Sequence, residues 1–100
     1  MKLSCHEFAT MFKVGDQNNK VLLDVRDPSE CDSGMLQGSI NIPVAELDSR
    51  LSEISKDKEI YIYCKSGSRA EKAEMFLSYK GFKETRVAHS GGYEELKKLF

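Results

Sequence analysis

The sequence predicts an α/β domain built on a mostly parallel sheet of about five strands, with helices covering both faces. Three observations carry this. Short β-rich runs alternate with helical segments along the chain, the order that encodes a parallel sheet with helices on it. The run Val21-Leu22-Leu23-Asp24-Val25 scarcely alternates between apolar and polar residues, as a strand buried on both faces does, and Glu59-Ile60-Tyr61-Ile62-Tyr63 is an interior strand rich in β-formers. Turn and capping residues fall where these segments meet.

Taken in order, Leu3 begins a short edge strand. Ser4 with Glu7 three residues on has the form of a capping box and predicts a helix over about 4–13. Gly15-Asp16-Gln17-Asn18-Asn19 is a polar loop before the strand at 21–25. Asp27-Pro28-Ser29-Glu30 reads as an N-cap, a proline at the first helical position and a returning glutamate, opening a short helix that Gly34 ends. Ser39-Ile40-Asn41-Ile42 is a strand stopped by Pro43. Residues 45–54 predict a helix with Leu47, Leu51 and Ile54 on one face. After the strand at 59–63, residues 65–68 form a polar turn, and a helix over about 69–80 buries Ala70, Ala73, Phe76 and Leu77, with Gly81 at its C-terminal cap. Thr85 to Ala88 is a further strand, and Tyr93 to Phe100 a last helix after Gly91-Gly92.

The 100 residues suit one domain, expected to span 1–100, and 40% hydrophobic with 31% charged residues is the composition of a globular protein with a core of its own. A net charge of −1 argues against nucleic acid or an anionic membrane as a partner. Residues 51–100 carry 10 basic and 8 acidic side chains against 5 and 8 in residues 1–50. The positive half holds the candidate site and would suit an anionic substrate. Cys5, Cys31 and Cys64 are odd in number and widely spaced, which fits neither a disulfide framework nor a structural zinc site. Free thiols suit a reducing compartment, and with neither an N-terminal apolar segment nor a membrane-length one, the expectation is a cytoplasmic protein.

The chemistry concentrates in Tyr61-Ile62-Tyr63-Cys64-Lys65-Ser66-Gly67-Ser68-Arg69, where a cysteine ends a buried strand and a tight loop leads into a helix. Strand carboxyl ends are where open α/β sheets bind ligands. The thiolate is the nucleophilic form, and helix N-termini and nearby cations favour it. Lys65, Arg69 and the positive end of the following helix would supply both. Successive loop amides can form a nest for an anion, with Gly67 free to take a positive φ and Ser66 and Ser68 adding hydroxyl donors. Cys5 and Cys31 read instead as small buried apolar residues. Asp24 and Arg26 read as polar residues that hold the fold, and His89 as a loop residue on the same sheet edge as Cys64.

Cys64-Lys65-Ser66-Gly67-Ser68-Arg69 resembles the active-site loop of rhodanese domains: cysteine, a basic residue, any residue, glycine, any residue, then arginine or threonine. The likeness continues in Leu23-Asp24-Val25-Arg26, in Gly34-Met35-Leu36-Gln37-Gly38-Ser39-Ile40-Asn41-Ile42-Pro43, in Gly81-Phe82 and in Ser90-Gly91-Gly92, so it covers nearly the whole chain. Met35 stands where many members have histidine, Leu96 where tryptophan is common and Cys31 where an aromatic is common; none of these touches the loop.

The resemblance implies a rhodanese-like three-layer α/β/α fold and ping-pong sulfur transfer. Cys64 would be the catalytic nucleophile, taking a sulfane sulfur from a small anionic donor such as thiosulfate, or from a protein persulfide, and passing it to cyanide or a thiol. Lys65, Ser66, Gly67, Ser68 and Arg69 would bind substrate and persulfide, with Lys65 meeting the donor and Arg69 tying the loop to the fold. No metal or organic cofactor is implied. Alternatives are a sulfur relay, a non-catalytic binding module, and a cysteine phosphatase or arsenate reductase. Those phosphatases place five residues between cysteine and arginine; this chain has four. A further expectation makes Cys31 or Cys5 a resolving thiol for Cys64.

Overall fold

A computed structural model describes residues 1–100. Five strands form one sheet: β1 (Lys2–Leu3), β2 (Lys20–Asp24), β3 (Ser39–Asn41), β4 (Glu59–Tyr63) and β5 (Thr85–Ala88), in the spatial order β1-β5-β4-β2-β3. Every pairing is parallel. The two strands expected to be interior, β2 and β4, are adjacent in the middle of the sheet, in register from Lys20–Glu59 to Asp24–Tyr63. The short β1 pairs with β5, and the short β3 closes the other edge.

Side chains alternate across each strand, so the sheet has two cores. On one face Leu23, Ile60, Ile62 and Cys64 pack under helix α3 (Ser68–Tyr79), with Ala70, Ala73 and Leu77 turned inward. The small residues at 70 and 73 bring that helix close to the strands. On the other face Leu22, Tyr61 and Tyr63 meet Phe8 of α1 (Cys5–Lys13) and Tyr93 and Leu96 of α4 (Tyr93–Leu96). Helices on both faces make the three layers. The capping box at α1 forms as expected: Ser4 Oγ accepts from the Glu7 amide at 3.1 Å, and Glu7 Oε1 from the Ser4 amide at 3.0 Å. Helix α2 (Pro28–Cys31) starts in the same way, with the Asp27 amide donating to Glu30 Oε1 at 2.9 Å.

Residues 45–54 differ from the sequence expectation. They form two 3₁₀ turns, Val44–Glu46 and Asp48–Glu53, broken where Arg50 leaves helical geometry. Leu47 and Ile54 are buried and Leu51 half-buried, so the apolar stripe was read correctly. The α-helix fails because Asp48, Ser49 and Ser52 are weak helix formers and Ser49 Oγ bonds the Glu46 carbonyl at 3.0 Å, competing with the helical ladder. The last helix is shorter than expected: α4 ends at Leu96, and residues 97–99 follow in turns. No helix of the chain is long and apolar enough to cross a membrane.

Candidate active site

Cys64 directly follows β4, at the carboxyl edge of the sheet and fully buried. Its Sγ accepts the Gly67 amide at 3.0 Å and the Ala70 amide at 3.4 Å. Two N–H groups converging on one sulfur, with the positive end of α3 behind them, form an electrostatic cradle for charge on that atom. The amides of Lys65, Ser66, Ser68 and Arg69 have no acceptor within the protein. The loop therefore keeps four further backbone donors without a partner in the protein. Ala70 lies one residue beyond the segment predicted to supply them.

The loop holds this shape because glycines let backbone approach backbone. Gly67 has φ +107°, and a Cβ there would lie 2.2 Å from the His89 carbonyl oxygen. A Cβ on Gly92 would lie 2.2 Å from the carbonyl oxygens of both Cys64 and Lys65. The next amide, that of Tyr93, donates to the Cys64 carbonyl at 2.9 Å. The Gly91-Gly92 segment is thus the floor of the loop. His89 contributes backbone to this packing; its exposed imidazole makes no hydrogen bond.

The cations around the loop differ in what they are free to do. Arg69 Nη1 and Nη2 donate to Glu30 Oε1 and Oε2 at 2.6 and 2.9 Å, a two-bond fork from α3 to α2. The fork holds the Glu30 carboxyl at about 2, well below its ordinary value, and raises Arg69 in turn. Arg26 is 3% exposed and is held by Asp24 through Nε and Nη2 at 2.7–3.0 Å, with Nη2 also donating to the Gly34 carbonyl at 2.8 Å. Burial works against its charge, but the bonds to Asp24 prevail and raise its pKa. Its guanidinium lies 4.2 Å from the Tyr93 ring centre. Lys65 is exposed and enters none of the ion pairs of the molecule.

A cavity of about 220 Å³ opens beside the loop, lined by Arg26, Glu30, Ser33, Lys65, Tyr93 and Glu94. Cys64 lies under the loop and is not part of its wall. Of the site residues named from sequence, only Lys65 reaches it; Ser66 and Ser68 are exposed on the loop, and Gly67 is buried. Sequence reasoning missed Glu30, because a helix cap already accounted for it. It also missed Gly92 and Tyr93, whose only signal was the paired glycine.

The spare thiols correct one expectation. Cys5 is buried as expected, its thiol pushed up by burial and by Glu95. Cys31 is half-buried, not a core residue: its Sγ lies 3.6 Å from Asp24 Oδ2, and burial and Asp24 raise its pKa. Cys5 packs in the core on the face opposite Cys64, and Cys31 bonds Asp24, the register partner of Tyr63 on that same opposite face. All three thiols are free, and the Cys64 sulfur accepts from the Gly67 and Ala70 amides.

The profile of the Rhodanese-like domain matches residues 4–99, and the chain belongs to that family. It is similar to a sulfurtransferase of Allochromatium vinosum, 34% identical over 70 residues that cover 70% of this chain and 65% of the relative. It is also similar to a thiosulfate sulfurtransferase of Escherichia coli, 33% identical over 76 residues, 74% of this chain and 71% of that protein. Among solved structures, reduced Bacillus anthracis CoADR-RHD superposes with a TM-score of 0.79 at 39% identity, over 98% of this chain and 16% of that one. The chain thus spans just under two thirds of the A. vinosum relative and about a sixth of the B. anthracis protein.

Proposed function

We propose that this domain is a sulfurtransferase that carries a sulfane sulfur on Cys64. The Cys64 thiolate attacks the outer sulfur of thiosulfate; the S–S bond of the donor breaks and sulfite leaves with the electron pair. Cyanide or a thiolate then attacks the terminal sulfur of the persulfide, and the Cys64 thiolate departs. Storing the sulfur covalently divides one hard transfer into two easier ones. The observation that carries this reading is the buried Sγ accepting the Gly67 and Ala70 amides, in a loop whose other four amides have no internal acceptor. Such donors suit the thiolate, the terminal persulfide sulfur and the sulfonate oxygens of the donor alike. Lys65, Ser66, Gly67, Ser68 and Arg69 make up the binding loop, with Lys65 as the cation that meets the donor. No step needs a metal or an organic cofactor.

A phosphatase needs its arginine fork turned toward substrate; here Glu30 occupies that fork. A relay that receives sulfur from a protein persulfide is the second reading. It is favoured by the likeness to a putative sulfur carrier protein of Bacillus subtilis, 36% identical over 72 residues.

Thiocyanate formation from thiosulfate and cyanide tests the proposal. Parallel double-reciprocal lines, with activity abolished in Cys64→Ser, are the expected result. Turnover that survives in Cys64→Ser would overturn it. A folded wild type inert toward thiosulfate, but loaded by a protein persulfide, would move the relay reading to the front.

A further inference from the structure

We infer that Glu30 determines the charge specificity of the site: by closing the Arg69 fork it withholds that cation from the donor and leaves Lys65 as the single free positive charge at the loop. The inference deepens the sulfur-transfer reading and rests on it for its biological sense.

Arg26, Arg69, Lys65 and Lys97 lie around the loop and its cavity; Lys97 is paired with Glu94 at 2.7 Å over the Tyr93 ring. Arg26 is spent on Asp24 and the Gly34 carbonyl in a buried network. Arg69 is the second residue of α3, between the two residues whose amides bond Sγ, and near enough to Cys64 for the sulfur's charge to act on it. Were its guanidinium free, it would be a strong anion binder, since a fork of donors matches planar and tetrahedral oxyanions better than an ammonium does. Both of its terminal nitrogens are instead taken by Glu30.

Glu30 is itself fixed by more than Arg69. Its Oε1 also accepts the Asp27 amide, so the carboxylate is anchored to the start of α2, where Pro28 sets the backbone. It is a rigid counter-ion and not a wandering surface acid. The Glu30–Arg69 pair is neutral as a unit, which leaves Lys65, a flexible point charge, as the monopole that an incoming anion meets. The site is thereby tuned to a weakly held anion that must enter and leave, and not to a tightly clamped one.

The test reads charge selectivity at Cys64 without any sulfur transfer. Wild type, Glu30→Gln, Glu30→Asp and the double variant Glu30→Gln/Arg69→Gln are alkylated with anionic iodoacetate and with neutral iodoacetamide. Peptide mass mapping follows Cys64 alone, and thermal melts confirm folding. Glu30→Gln keeps an oxygen for the Asp27 amide but releases the Arg69 charge, so the iodoacetate-to-iodoacetamide rate ratio should rise roughly threefold, the scale of one partly screened ion pair. The double variant should return to the wild-type ratio, and Glu30→Asp, which keeps the carboxylate, should stay near it.

An unchanged ratio in folded Glu30→Gln would overturn the inference. So would a rise that persists in the double variant, or an equal rise in Glu30→Asp, because the effect would then belong to loop shape. The ratio is decided whether or not the protein accepts sulfur from thiosulfate, so failure of the charge assignment and failure of the sulfur-transfer reading remain distinguishable.

Discussion

Two polar clusters stand at the carboxyl ends of neighbouring strands, and they are bonded in opposite ways. At the end of β2, Asp24 and Arg26 are almost completely buried and spend themselves on each other. Asn41 Nδ2 completes that cluster with 2.9 Å bonds to the Asp24 and Arg26 carbonyls. At the end of β4 the Cys64 loop keeps four amides without an internal acceptor and a lysine without a counter-ion. A polar group satisfied inside the protein holds structure; one left open at a sheet edge is available to a ligand. The first cluster is the frame, and the second is the site it supports.

The largest test of this contrast places a methyl group between the frame and the loop. Gly92→Ala would drive a Cβ into the carbonyl oxygens of Cys64 and Lys65, each 2.2 Å away. A loop displaced by about 1 Å should lower turnover on the order of a hundredfold, measured as thiocyanate formation, while the fold survives. Next in size is the frame itself. Asp24→Ala leaves Arg26 buried and unpaired and should cost about 3–5 kcal/mol in urea unfolding, whereas Asp24→Ala/Arg26→Met should cost less than the single change. A mild single variant would show that the pair is not the frame.

Changes at the open cluster should alter binding and leave stability alone. Lys65→Gln should raise the KM for thiosulfate about threefold at low salt, with the difference shrinking as salt is added and the KM for cyanide unmoved. The smallest effect concerns acid. Glu30 is depressed from about 4.5 to about 2 by Arg69. A carboxyl lowered in the folded state stabilises it above the unfolded value, and that contribution disappears as pH falls from about 4.5 toward 2. The melting temperatures of wild type and Glu30→Gln should therefore differ slightly at pH 6 and converge across that window.

What could be read from the sequence follows the same division. The central strands were legible because burial on both faces leaves a run almost without alternation, as in Val21 to Val25, and because Ile60 to Tyr63 are β-formers. The Cys64 loop was legible because a cysteine, a glycine and a helix start fall within six residues. The 3₁₀ turns of 44–53 were not, because the apolar spacing of Leu47, Leu51 and Ile54 serves a broken helix as well as a regular one. Glu30 was hidden for a different reason. Its partner is 39 residues away, and its local role at the start of α2 was already a sufficient explanation. Long-range polar pairs leave no period in a sequence, so they surface only when the fold brings both ends together.

The most direct test of the account is the mass of the intact protein after incubation with thiosulfate, for wild type and Cys64→Ser, before and after a cyanide chase. Wild type is expected to gain the mass of one sulfur atom, to lose it to cyanide as thiocyanate, and to show nothing in Cys64→Ser. Sulfur uptake that persists in Cys64→Ser, or settles on Cys5 or Cys31, would contradict the assignment of the open loop as the site of sulfur storage.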